Sequence, residues 1–107
     1  MEQPKFLTTG VLVIMTAKPG VTREQVMKFI PAEIRATVRL YLDGKIRQWF
    51  SRSDSRGVVF LLDCKDVDEA HTLIDALPLS AENLLDHEFI AVGPLVPLRA
   101  LLTNPAQ

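Results

Sequence analysis

With 107 residues, a net charge of −1, 48% apolar and 23% charged residues, the chain has the balance of an ordinary one-domain globular protein, with little length to spare for a deep private pocket. The near-zero charge argues against a dedicated nucleic-acid binder, whose footprint is a clear basic excess. No stretch approaches the roughly 18 apolar residues of a membrane span, and Met1-Glu2-Gln3-Pro4-Lys5 lacks the basic and apolar regions of a signal peptide, so a cytoplasmic protein without membrane contact is expected.

Val11 to Met15 is a short β-branched run closed by Lys18-Pro19-Gly20, which predicts a strand buried on both faces and central in its sheet. Thr22 is the expected N-cap of the next segment. Val26, Phe29, Ile30, Ile34, Val38 and Tyr41 then recur at helical spacing until Asp43-Gly44. Pro31 interrupts this pattern: either the helix kinks there, or a short helix ends and a second begins with Pro31 in its first turn. Lys45 to Ser53 and Val58 to Cys64 read as two strands of a hairpin, with Asp54-Ser55-Arg56-Gly57 supplying the turn. Asp66 with Glu69 three residues on predicts a capped helix carrying Val67, Ala70, Ile74 and Leu77, ended by Leu77-Pro78-Leu79. Phe89 to Val92 is the last strand, stopped by Gly93-Pro94.

The order is β-α-β-β-α-β, an α+β, ferredoxin-like pattern with a four-stranded antiparallel sheet, in one domain over 1–107 with its core at about 8–97. The tail from Pro94 to Leu102 is too apolar for a free terminus and too rich in proline for a central strand. The expected solution is packing of 94–107 on a partner subunit, hence a homodimer or a higher multiple.

Charge is unevenly divided. Residues 1–56 hold ten Lys/Arg against five Asp/Glu, and residues 57–107 hold two against eight. Either the halves interleave and their fields cancel, or one wall of a pocket is basic and suits an anionic ligand.

Among candidate chemical groups, Glu33 stands out. On an uninterrupted helix it falls near the middle of the apolar stripe, where burial would raise its pKa toward the range useful for proton transfer. If Pro31 opens a new helix, Glu33 instead lies in a first turn, where an acid favours the helix dipole. On the next strand Arg47, Trp49 and Ser51 are expected on one face, with Ile46, Gln48 and Phe50 on the other; Trp49 could stack on a ligand or fill the core. His71 lies at the margin of the second helix's apolar face, either structural or catalytic. His87, between Asp86 and Glu88, reads as a surface residue. The two histidines have no metal-site spacing, no phosphate loop or dinucleotide fingerprint is present, and no base obviously serves Ser80, Ser51 or Cys64. Cys64, inside the run Val58 to Cys64, reads as packing material.

Gly44-Lys45-Ile46-Arg47, the hairpin, Asp63, Asp68-Glu69-Ala70-His71-Thr72-Leu73, Leu77-Pro78-Leu79 and Pro94-Leu95 together resemble the muconolactone delta-isomerase family over roughly Val11 to Pro97. The resemblance implies a dimeric α+β barrel, a cleft between each sheet and its helices, and proton transfer on a small unsaturated lactone with no metal or organic cofactor. It matches Glu33 to a glutamate of the family's first long helix, Arg47 to the arginine after Gly-Lys, and His71 to the histidine of the second helix. The chain departs from the family at Ile34, where a lysine is expected, at Gln48, where a histidine is expected, and in the apolar first strand. These departures argue against muconolactone itself as substrate.

The expectation is therefore a cofactor-independent isomerase- or lyase-type enzyme acting on a small carboxylated or lactone-like metabolite. Glu33 and His71 would be its acid/base groups, and Arg47, Trp49 and Tyr41 would bind substrate. The rivals are a non-catalytic ligand-binding or accessory module, favoured if Glu33, Arg47 and Trp49 do not converge on one cavity, and a cofactor-free oxygenase.

Overall fold

The structure, a computed structural model, describes residues 7–95 and Leu102. The expected packing of the C-terminal tail therefore falls, from 96 onward and Leu102 apart, outside the described residues. Eight elements follow in order: β1 Gly10–Ala17, α1 Arg23–Met27, α2 Ile30–Leu42, β2 Ile46–Ser51, β3 Gly57–Leu62, α3 Val67–Asp75, α4 Pro78–Ala81 and β4 Leu85–Val92. The strands form one four-stranded sheet in the order β2-β3-β1-β4, and every pairing is antiparallel. This α+β arrangement is compatible with a ferredoxin-like fold.

Alternation decides which face of the sheet is covered. Val11, Val13 and Met15 of β1 point to the helices together with Phe60 and Leu62 of β3, and all are buried. Ala70 and Ile74 of α3, with Leu77 and Leu79 at α4, close the same core. The continuous apolar run of β1 predicts burial on both faces. Within the chain only one face is fully closed, for Leu12 and Ile14 remain partly exposed on the other.

Caps and turns act where the sequence placed them. The Thr22 hydroxyl accepts the Gln25 N–H at 3.2 Å while the Gln25 side-chain Oε1 accepts the Thr22 N–H at 2.7 Å, a reciprocal capping box. Asp66 accepts the Glu69 N–H, but Glu69 reaches one residue further back, to the Lys65 N–H. Gly44 ends α2 with φ +78°, a conformation that needs no Cβ. At Gly57 the constraint is space: a Cβ would sit 1.8 Å from the Met15 carbonyl oxygen, so the β2–β3 hairpin lies hard against β1.

Pro31 splits the first helix rather than kinking it. α1 ends by Lys28, and α2 starts afresh with the proline in its first turn, where its missing N–H costs nothing. The second helical stretch divides too: α3 stops at Asp75, and Pro78 opens the four-residue α4. The last strand begins earlier than its apolar run suggested, because Leu85 to Glu88 continue the antiparallel register along β1. In β2 a register shift between Ile46 and Gln48 corrects the predicted faces. Ile46 joins Trp49 and Ser51 on the helix side, and Arg47 falls out of the alternation.

Among the described residues no helix is long and apolar enough to cross a membrane.

Candidate functional site

The second helix does not lie flat on the sheet. Its buried residue is Thr37, whose hydroxyl donates to the Glu33 carbonyl at 2.7 Å, while Ala36 and Leu40 pack at the core margin. Ile34, Val38 and Tyr41, the apolar positions on its other flank, are 55%, 38% and 44% exposed. They stand over the β2 edge without filling the space beneath. The result is a cleft of about 1040 Å³ between α1–α2 and the β2–β3 hairpin, floored by Met15, Val58 and Phe60 and closed at one end by Leu79 and Leu85.

Glu33 reaches this cleft from the first turn of α2. Because Pro31 opens a new helix, the first-turn reading of Glu33 holds and the uninterrupted helix does not, yet the carboxylate still faces inward. One oxygen, Oε1, accepts the Leu79 N–H at 2.9 Å. Leu79 lies at the start of α4, whose own N-cap, Leu77, has no side chain able to accept, so Glu33 satisfies from another element a donor that α4 leaves open. Desolvation pushes the carboxyl above its ordinary pKa, and the Leu79 N–H partly offsets the rise. Oε2 makes no side-chain hydrogen bond among the described residues.

The raised pKa has a stability consequence. A carboxyl that binds its proton more tightly when folded contributes stability that is full below the unfolded pKa and is lost as pH rises through the folded one. The stability of wild-type protein minus that of Glu33→Gln should therefore fall with increasing pH from the ordinary carboxylate range upward. Urea midpoints for both proteins between about pH 4 and 8 test this; a flat difference would mean that the carboxylate is fully solvated.

Trp49 lines the cleft from β2 and is backed by Tyr41, their rings stacked at 4.5 Å with planes 6° apart. Tyr41 thus holds the indole in place and is not itself among the lining residues. Among the described residues three cations line the mouth, Arg23 from α1 and Arg52 and Arg56 from the hairpin, and Glu33 is the only acid in the lining. Arg52 is engaged, donating to Thr16 Oγ1 at 2.5 Å and to Asp54 at 2.6 Å, which holds the Asp54 carboxyl below the usual carboxylate range.

The structure brings Glu33 and Trp49 together, with Tyr41 behind, and leaves Arg47 and His71 elsewhere. Freed from the alternation by the bulge, Arg47 pairs with Asp63 at 2.7 Å and donates to the Thr9 carbonyl. Its guanidinium lies beside Gly10 and Leu61, on the sheet face away from the cleft. His71 is exposed, pairs with Asp75 at 3.3 Å and stacks on Phe89 at 3.8 Å. His87 is not a simple surface residue. The longer β4 turns its ring to the helix side, where Nε2 lies 2.8 Å from Ser80 Oγ, and burial lowers its pKa. Ser80 therefore does have an imidazole partner, but neither residue lines the cleft. Cys64 is buried, and desolvation pushes its thiol up, as packing material should be.

Sequence reasoning missed the hairpin arginines. Arg52 and Arg56 stood inside a turn motif, and the charge excess of residues 1–56 was the signal that could have found them. Among the described residues no group of three or more His, Cys, Asp or Glu is placed to hold a metal ion.

No protein-family model matches the chain, and no curated protein matches it.

Proposed function

We propose that the protein is an isomerase- or lyase-type enzyme that moves a proton on a small, partly apolar, carboxylated or lactone-like metabolite, without a metal or organic cofactor, and that Glu33 carries the proton. The observation behind this reading is the half-buried Glu33 carboxylate, raised in pKa, with one oxygen held by the Leu79 N–H and the other without a hydrogen-bond partner among the described residues, in an apolar cleft. An acid/base group works best with its pKa near the operating pH, and partial desolvation moves a carboxylate that way. Holding Oε1 fixes the side chain while leaving Oε2 to meet substrate. The resemblance to muconolactone delta-isomerase supports the same reaction class.

The test is solvent-deuterium exchange. The protein is incubated in D2O with a panel of butenolide acetic acids and β,γ-unsaturated acids, and deuterium incorporation or double-bond migration is followed by NMR. Enzyme-dependent exchange on at least one member supports the proposal; exchange that Glu33→Gln leaves untouched removes it. Ligand binding without turnover is the second reading, favoured by the cap that Glu33 provides to α4 and by the absence of Arg47 from the cleft.

The proposal includes a homodimer in which the two open sheet faces pack into an α+β barrel. On that face Leu12, Ile14, Val59 and Leu61 are partly exposed, flanked by Phe50 at 54% and Ile90 at 39% exposure. Asp86 and Glu88 stand along the β4 side of this apolar face, with Arg52 towards the β2 side. A two-fold axis parallel to the strands sets β4 of one copy over β2 of the other and opposes acid to base, whereas an in-plane axis across the strands stacks acid on acid. Ile14→Glu is expected to halve the mass measured by light scattering; a wild-type monomer at micromolar concentration would end this part of the proposal.

A further inference from the structure

We infer that Arg23 and Arg56 form an anion-binding mouth to the Glu33 cleft, selecting ligands that carry a carboxylate at one end of a flat apolar body that lies against Trp49. The inference rests on the proposed use of the cleft as a substrate site and adds to it where the charged end of the substrate sits.

Two segments meet at this mouth. The Ala17 N–H donates to the Arg56 carbonyl at 3.0 Å, tying the hairpin to the end of β1, and the chain leaves β1 through Pro19-Gly20 directly into α1, which carries Arg23. Both arginines line the cleft and both are exposed. Their engagement distinguishes them from the other arginines of the region. Arg52 is held by Asp54 and Thr16, and Arg47 by Asp63 and Thr9 on the opposite sheet face. Among the described residues Arg23 and Arg56 enter no salt bridge and donate no side-chain hydrogen bond, so their guanidinium donors remain available to a ligand. The nearby Asp54 carboxylate is already taken by the Arg52 guanidinium and the Arg56 backbone N–H.

The walls then define the rest of the ligand. Trp49 presents an indole stacked on Tyr41, and Ile34 and Val38 of α2 line the same cleft. A planar, conjugated body fits such a wall with little ordering cost. A carboxylate would avoid the Glu33 end, where two like charges would meet in a desolvated space, and would settle at the guanidinium end. The carbon that exchanges a proton would then lie inward, toward Glu33.

Cinnamate and its neutral isostere cinnamamide separate charge from shape. Trp49 is the only tryptophan, so quenching of intrinsic fluorescence reports this cleft alone, with titration calorimetry as a second measurement. Cinnamate is expected to bind at least about tenfold more tightly than cinnamamide, with an advantage that shrinks as salt rises through the screening range. The double variant Arg23→Gln/Arg56→Gln should remove that advantage and leave cinnamamide binding as it was. Arg47→Gln, changed on the far face, should bind both as wild type does. Equal affinity for acid and amide, no binding of either, or an equal loss in Arg47→Gln would overturn the inference. Neither probe needs to react. Selective cinnamate binding that survives in Glu33→Gln without exchange activity in the wild type defeats the proton-transfer reading alone. Exchange activity on a neutral lactone with no preference for acids defeats the anion mouth alone.

Discussion

Glu33→Gln should lower proton exchange by about 10² to 10⁴-fold, the usual worth of a positioned general acid or base, while the protein stays folded. The fold is expected to survive because the glutamine carbonyl can still accept the Leu79 N–H that Glu33 Oε1 accepts at 2.9 Å. Near neutral pH the variant should equal or exceed the wild type in urea midpoint, since it no longer buries part of a charge that desolvation disfavours. That pairing separates chemistry from architecture: a residue retained only to cap α4 would gain nothing from being charged and would leave activity indifferent to its loss. Glu33→Ala is the complementary variant. It strands the Leu79 donor at a partly buried position, at a cost of about 1–3 kcal/mol. Exchange rates for the three proteins on one active substrate, measured beside their unfolding curves, decide the matter. Activity of Glu33→Gln within a factor of two of wild type would eliminate Glu33 as the proton carrier.

Leu62→Ala should cost about 2–5 kcal/mol, read as a lower urea midpoint at unchanged slope. Leu62 is fully buried and pairs with Val11 on one side and Ile46 on the other, so its side chain stands on the helix face between two other buried residues. Antiparallel strands on both flanks restrict how far the backbone can close a void there, which puts the residue among the costly core truncations. A loss below about 1 kcal/mol would mean that the interior around Val11, Ile46 and Leu62 is loosely filled. The cleft lies on the other flank of α2, so the variant also serves as a control: protein still folded should keep the cinnamate affinity of the wild type.

The order of elements was legible in the chain because each carries its own local signal. Short continuous apolar runs bounded by turn residues mark β1 and β3, helical spacing marks α2 and α3, and Thr22, Asp66 and Gly44 mark ends through backbone hydrogen bonding or a positive φ. Glu33 was legible too, as an acid out of place in an apolar stripe. What local pattern could not supply was the partner of each side chain. One bulge after Ile46 puts Ile46 on the same face of β2 as Trp49 and sends Arg47 to Asp63, and nothing in its neighbours encodes that slip. The division of the first helical stretch at Pro31 left two physical outcomes open, which packing resolved by letting α2 begin afresh. Arg56 reaches the cleft mouth because Gly57 lets the hairpin press on β1, and Ser80 meets His87 because β4 starts four residues ahead of its apolar run. Spacing along a chain fixes what a segment is; register and close approach between distant segments fix what each side chain meets.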